Sequence, residues 1–500
     1  MKKLSLLQGL LGFLIYTLVL GFFITLLPDE ALSPGSKQFI LVTGGLALWR
    51  YSWGMTHFIR SIIYRKLVFP GLRAKVQAHT DILMPPHIYL LVTSFRIDVE
   101  TTTKVFEATF RDAMNCGIPA TVVPSLVDLS DEILVRDIHR RLDPEGTVKL
   151  VMVRIPGTGK RDGLAHGFRA IAAEMPPSGS VAAVIDGDSI LQDDLIRRCA
   201  PFFKMMPKLG ALTTDEICEV KGTRLIREWH DLRFAQRQIL MCSVSLSRKV
   251  LTLTGRMSMF RAEIITHPDF IAHIQEDSID HWRLGRFKFL TGDDKSSWYW
   301  VLKQRYEMIY IPDTIVTTVE HPPGRNFVHS TSMLMFRWFG NMLRTNGRAL
   351  ALGPRKCGLF TWWCIVDQRI SMWTSLSGVV IMFMFSMAKS AAVIPIYIVW
   401  IAFTRWIMTL MLLTSRPVVS WYYPFLIYYN QIWGSLIKTY VFFRLDRQSW
   451  TRQKTKLNHN RTEGQQMFVN ASSVAMHSVA IIVFVALIGM VSGLLTVPLK

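Results

Sequence analysis

The sequence predicts an α/β domain of the doubly wound type, inserted between transmembrane α-helices. Three observations predict it. Long uncharged runs stand near both ends of the 500-residue chain. Between them, short β-rich runs alternate with helical stretches, the pattern of a parallel sheet covered by helices. Within that middle block lie two small acidic clusters, Asp186-Gly187-Asp188 and Gly292-Asp293-Asp294-Lys295.

The elements follow in order. Leu4 to Leu27 carries no charge and exceeds the ~20 residues that span a bilayer. A signal peptide is the alternative, but the run is too long and no small-residue cleavage site clearly follows. Pro28-Asp29-Glu30 and Pro34-Gly35 form a short loop poor in positive charge. Phe39 to about Phe58 returns across the membrane, carrying Arg50 and His57. Arg60, Arg65, Lys66, Arg73 and Lys75 follow, so the loop from Pro28 to Gln38 is expected outside and the chain after Arg60 in the cytoplasm. Residues 1–64 therefore read as two N-terminal transmembrane helices.

Residues 65–350 read as a cytoplasmic domain. His87–Thr93, Ala120–Pro124, Val148–Val153 and Val181–Ile185 are β-rich, with helical stretches such as Glu100–Asn115 between them. Ligands of such sheets bind beyond the carboxyl ends of the strands, where Asp186 falls. After Gly353-Pro354 the chain turns apolar again. Residues 351–369, with the aromatic stretch Leu359–Ile365 followed by Asp367 and Arg369, suit an interfacial segment. Ile370–Ala388, Ala391–Leu413, Val418–Phe443 and Ser473–Thr496 are candidate spans. They give channel helices at 370–443, a basic cytoplasmic loop at 444–472 and a C-terminal transmembrane helix at 473–500. Six cations between Arg444 and Arg461 belong in the cytoplasm, yet three crossings from Ile370 would put them outside. Either one run is re-entrant or Ala391–Phe443 hides a further crossing, so the count stands between five and seven. Val418–Phe443 carries Pro424, Asn430, Gln431 and Lys438, and polar groups at that depth face protein or a water-filled path.

Composition narrows the function. Half the residues are apolar and the mean hydropathy is +0.26, high for a soluble chain. The net charge of +20 is compatible with nucleic acid, anionic lipid or an anionic substrate. No nucleic-acid motif is present, and the positive-inside rule accounts for many of the cations. The six cysteines show no metal spacing and read as reduced thiols.

Four segments carry candidate chemistry. Alternate carboxylates at a strand end, Asp186 and Asp188, can hold Mg²⁺ or Mn²⁺ on a diphosphate, although Asp-Gly is also common in turns. Adjacent Asp293 and Asp294 repel, which raises one pKa and creates a base. A base beside an attacking hydroxyl accelerates by about 10²–10⁴-fold. The same residues, before Lys295-Ser296-Ser297-Trp298, fit a helix start, and both roles can hold together. Arg337-Trp338, with Arg344 after it, can grip phosphate and face a sugar ring, or can anchor an interface. Gly159-Lys160-Arg161 and Arg169 can approach phosphate or form a solvated basic turn.

The order of these segments resembles that of the processive, membrane-embedded family 2 glycosyltransferases, such as hyaluronan and cellulose synthases. Val127-Asp128-Leu129-Ser130-Asp131 resembles their nucleotide-base contact, Gly159-Lys160-Arg161 their GK segment, and Asp186-Gly187-Asp188 their DxD. Thr254-Gly255-Arg256-Met257-Ser258-Met259-Phe260-Arg261 resembles the acceptor-side loop. Gly292-Asp293-Asp294-Lys295 is similar to the GDDR of hyaluronan synthases. Thr318-Val319-Glu320-His321-Pro322 resembles TExP, and Ser449-Trp450-Thr451-Arg452 the late WGTR. Two segments depart. Leu334 stands where QxxRW has Gln, and Thr93-Ser94-Phe95-Arg96-Ile97 replaces PxYNE. One branch shares these departures. Ile217–Val220, Arg227–Arg237, Leu251–Ser258 and His281–Trp298 are similar to the mannuronan synthase catalytic subunits.

The resemblance implies a GT-A-like domain and an inverting polymerase that joins mannuronate from GDP-mannuronate into polymannuronate. It implies Asp294, less so Asp293, as base, and Asp186 and Asp188 as metal holders. Asp128, Lys160, Arg161, Asp186, Asp188, Arg337 and Trp338 are the implied nucleotide-sugar contacts, with Lys295 assisting the departing diphosphate. Gly255, Arg256 and Trp338 are the implied acceptor contacts. It further implies the bacterial inner membrane, a PilZ-type copolymerase that binds cyclic di-GMP, and other envelope export proteins. A UDP-sugar polymerase and a non-catalytic membrane subunit are the alternatives.

Overall fold

A computed structural model describes residues 2–26, 37–450, 455–456 and 461–495. Its centre is a nine-stranded sheet built from β1 (Ile88–Thr93), β2 (Ala120–Leu126), β3 (Val148–Leu150), β4 (Val153–Arg154), β5 (Val181–Asp186), β6 (Ser189–Leu191), β7 (Leu209–Val220) and β8 (Met257–Arg261), and, beyond a hairpin of β9 (Ser278–His281) and β10 (Gly285–Lys288), β11 (Glu307–Glu320). The order is β3-β2-β1-β5-β8-β7-β11-β6, with β4 also beside β2.

The expected parallel sheet needs one correction, because it is mixed. β1 to β5 pair in parallel and so do β7 and β11, but β8 runs antiparallel to both its neighbours, and β6 antiparallel to β11. The reason lies in where the chain enters β8. Met257 pairs with Ile185 and Arg261 with Val181. The strand therefore starts at the carboxyl edge of β5, which brings the preceding Gly255 and Arg256 to the ligand-binding side. The expected single strand at 148–153 is two short ones, both against β2. β1 and β5 are buried on both faces, so they read as continuous apolar runs without alternation.

The helices Lys2–Thr25 and Lys37–Ile63 occupy the region expected to hold two spans. The second does not stop at Ile63. It continues through a π-helical turn, Tyr64–Val68, into the helix Phe69–Ala78. Its polar residues enter the sheet domain. Tyr64 donates to the Tyr310 carbonyl at 2.8 Å, Arg60 to Ser247 at 2.6 Å and Arg73 Nε to Asp313 at 2.7 Å. Cations that the sequence assigns to membrane topology thus also tie the domains together.

Among the described residues, three helices are long and apolar enough to cross a membrane: Leu359–Ala388, Val393–Leu412 and Glu463–Val491. Their length and composition suit membrane association. Residues 351–369, expected as an interfacial segment, span more than one helix. They divide between the end of the helix Phe327–Ala351, the short turn Pro354–Cys357 and the start of the 30-residue helix Leu359–Ala388. At 1.5 Å per residue that helix is about 45 Å long, more than a ~30 Å hydrocarbon core needs. Its first turns pack on the end of the helix Phe327–Ala351, where Trp362 donates to the Leu350 carbonyl. Within the expected span Val418–Phe443, the helix Tyr423–Phe442 buries Gly434, Ser435, Lys438 and Thr439, and Lys438 donates to Ser371 at 3.1 Å. Its polar residues face protein. Thr451, Arg452 and most of the Pro28–Gln38 loop lie outside the described residues.

Candidate active site

The two acidic clusters line one cleft of 720 Å³ at the carboxyl edge of the sheet. That volume falls within the ~300–1,000 Å³ of typical ligand sites. β5 delivers Asp186 beside the end of β1, in register with Thr93. Gly187 then donates to the Thr93 carbonyl at 2.8 Å. A Cβ on Gly187 would lie 2.8 Å from the Ser94 Cα, a backbone atom that cannot move aside, so only glycine turns here. Asp188, nearly buried, follows on the cleft wall.

The second cluster starts a helix, Asp293–Lys303. Gly292 adopts φ +87°, and a Cβ there would lie 2.8 Å from Asn341. The expected helix start and the expected carboxylate pair are therefore the same feature.

Lys160 joins the clusters. It opens the helix Lys160–Ala173, and its Nζ lies 2.5 Å from Asp186 and 3.0 Å from Asp293. Gly255 passes over this contact, since a Cβ on it would lie 2.8 Å from Lys160 Nζ and 2.9 Å from Asp186 Oδ2. These charges separate the carboxyls. Burial alone would raise Asp293, but Lys160 and Arg161 hold it below the ordinary carboxylate range. Asp294 is raised, by burial first and by the charge of Asp293 second. Asp186 is raised as well, burial outweighing Lys160. Lys160 is raised despite its burial because two carboxylates face it.

The remaining expected contacts divide. Arg337, Trp338, Arg256 and Lys295 line the cleft. Lys295 is buried, donates to the Leu251 carbonyl at 2.5 Å, and burial lowers its pKa to about 8. Arg256 is held between Glu216 at 3.1 Å and Glu320 at 3.0 Å. Arg161 points behind the wall. It donates to the carbonyls of Ile274 and Thr291 and to Ser296 Oγ, so it braces the Asp293-Asp294 turn and does not face the cleft. Asp128 follows β2 outside the cleft lining and lies 3.7 Å from Arg96, which has φ +47°.

Trp338 is less open than a free sugar platform. It stacks on Trp229, centroids 5.7 Å apart and planes within 9°, and the Arg233 guanidinium lies 4.6 Å from its centroid. Leu334, at the position of the motif Gln, is buried in an apolar cluster with Trp229, Tyr423 and Ile427. A Gln there would bury an amide among hydrocarbons, so the Leu belongs with the packing of the membrane helices.

Arg233, Arg237 and Asn341 also line the cleft, and Glu216 pairs with Arg237 and Arg256 behind it; sequence reasoning assigned these four no role. One pattern could have shown two of them. Trp229, Arg233 and Arg237 recur at four-residue spacing, one face of the helix Arg224–Ser245.

Residues 85–341 match the model described as glycosyltransferase like family 2. The chain is 49% identical over 477 residues to glycosyltransferase alg8 of Pseudomonas syringae pv. tomato, covering 95% of this chain and 97% of that protein. The chain belongs to the alg8 glycosyltransferases of family 2. The alg8 protein of Azotobacter vinelandii is 47% identical with the same coverage. Among solved structures, the mannosyltransferase PcManGT from Pyrobaculum calidifontis, in complex with GDP-Man and Mn²⁺, is 14% identical. It covers 76% of this chain and 98% of its own at a TM-score of 0.41. In this alg8 glycosyltransferase the acidic clusters, Gly255 and Arg337-Trp338 line one cleft.

Proposed function

We propose that this alg8-family glycosyltransferase builds polymannuronate from GDP-mannuronate, with inversion, and passes it across the inner membrane. The observation that supports it most is Lys160, which places Asp186 of one cluster and Asp293 of the other on a single ammonium. That arrangement leaves Asp294 as the carboxyl of raised pKa, the property of a general base. Asp294 takes the proton of the acceptor hydroxyl as it attacks the anomeric carbon. Asp293, held charged by Lys160 and Arg161, keeps Asp294 basic by its field. Arg337, with Lys160 close by, meets the charge that develops on the departing diphosphate. Arg256 and Gly255 shape the acceptor side.

A divalent cation fits these residues in one way. No group of three or more metal-ligating side chains exists among the described residues. Two carboxylates, Asp186 and Asp188, suffice only for an ion that takes its other ligands from diphosphate and water, which is how Mg²⁺ is usually bound. Such an ion would neutralise the leaving group when bound. Asp128, beside the cleft, would meet the guanine end, as the resemblance implies. The reading includes a PilZ-type cyclic di-GMP copolymerase as partner, as the family resemblance implies.

A donor panel tests the proposal. Membranes containing the full chain are expected to incorporate label from GDP-mannuronate and not from GDP-mannose or UDP-glucuronate. Incorporation from a UDP-sugar instead would overturn the donor assignment. Asp294→Asn is expected to abolish incorporation, and polymer yield equal to the parent's would remove Asp294 as base.

A further inference from the structure

The cations around the cleft differ in how their charge is met. Lys160 has Asp186 and Asp293. Arg237 and Arg256 share Glu216, and Arg256 also reaches Glu320. Arg233 lines the same cleft, half-buried, yet no carboxylate among the described residues lies within ion-pair distance of it. Rings hold its guanidinium instead, with centroids at 4.6 Å for Trp338 and 5.2 Å for Trp229. The two indoles attract the cation through their rings and offer its N–H groups no acceptor, which leaves those groups for a ligand.

Its position indicates which ligand. Trp229 donates to Asn430 Oδ1, at 2.6 Å, on the helix Tyr423–Phe442. Leu334 and Trp338 belong to the helix that leads into the membrane segments and pack on that same helix. Arg233 therefore stands at the end of the cleft that adjoins the membrane helices, where the growing chain must pass. Burial, with the charge of Arg256, brings its pKa only down to about 10, so it is cationic at neutral pH.

We propose that Arg233 binds the carboxylate of a uronate residue in the growing chain and selects a carboxylated acceptor over a neutral one. This rests on the uronate reading above. A planar guanidinium matches a carboxylate with two parallel hydrogen bonds. A partly desolvated cation built for such a partner discriminates against an analogue that lacks the charge.

The test is equilibrium binding of tetramannuronate and its methyl ester to the purified full chain in detergent. Wild type is expected to favour the acid, and Arg233→Gln to lose that preference by about 10- to 100-fold. Arg233→Lys, which keeps charge without the fork, is expected to fall between. GDP affinity is expected to be unchanged in both variants. An unchanged preference in Arg233→Gln, no preference in wild type, or a parallel loss of GDP binding would each overturn the assignment. Incorporation from GDP-mannuronate by wild-type membranes, measured alongside, separates the two readings. Its absence defeats the donor proposal, whereas its presence with an unaltered Arg233→Gln defeats only the carboxylate reader.

Discussion

Asp293 and Asp294 are neighbours with opposite shifts: Lys160 and Arg161 hold Asp293 down, while burial and the charge of Asp293 raise Asp294. Lys160 lies 3.0 Å from Asp293, whereas Asp294 meets Thr252 Oγ1 at 3.4 Å. A base works only when deprotonated. With its carboxyl raised, Asp294 gains a proton at a higher pH than an ordinary Asp, so the acid limb of a kcat profile is expected above the usual range near ~3.9. Activity should fall as pH drops through that raised value, and a limb at or below 3.9 would contradict the role. The same shift opposes folding once pH rises past it, because the charged form is then buried. Asp294→Asn is therefore expected to be inactive yet to melt no lower than the parent at neutral pH, as measured by Tm in detergent. The metal prediction also belongs at this scale. Two carboxylates without a third ligand should bind Mn²⁺ weakly alone and markedly better with GDP, as read by calorimetry. Tight binding of Mn²⁺ without nucleotide would contradict a site completed by diphosphate.

At the scale of elements, glycines decide where the acids point. Gly187 lets β5 turn against the backbone of Ser94, and Gly292 starts the helix Asp293–Lys303 from a left-handed conformation. Gly187→Ala must push β1 and β5 apart at their carboxyl ends. It is expected to cut incorporation by at least about 100-fold while lowering stability by only about 1–3 kcal/mol, read by initial rate and thermal melting. Arg161 shows how far the sequence was legible at this scale. Its place after Gly159-Lys160 suggests a phosphate contact, because a one-dimensional motif does not show that consecutive helical residues face different directions. In the helix Lys160–Ala173 the first cation faces the cleft and the second braces the turn behind it. The DGD and GDD segments were legible because each is local: a strand end or helix start, a glycine and adjacent acids. Glu216 and Asn341 were not, because only the packing of β7 and of the helix Phe327–Ala351 brings them there.

For the whole molecule, polar contacts couple the catalytic sheet to the membrane helices. Asp215 of β7 is buried and receives Arg416, from the segment after the helix Val393–Leu412, at 2.7 Å and 3.1 Å. Gln238 and Tyr310 complete its hydrogen bonds at 2.9 Å and 2.6 Å. Arg416→Met would strand a buried carboxylate. It is expected to destabilise by about 3–5 kcal/mol, whereas the double change with Asp215→Leu should recover much of that. Equal melting of the single variant and the parent would show that the pair carries no coupling. Arg73 with Asp313, and Trp229 with Asn430, make comparable ties. Catalytic and membrane parts are thus expected to unfold together.

The sequence by itself determined the layer plan, the two acidic clusters and the apolar helices around them, because these depend on hydrophobic period and local turn chemistry. Only the tertiary structure decided that β8 runs backwards, that Lys160 bridges both clusters, and that the Trp338 indole lies against Arg233. These contacts join residues from 26 to more than a hundred positions apart. Their energies depend on distance and burial, which no spacing along the chain records.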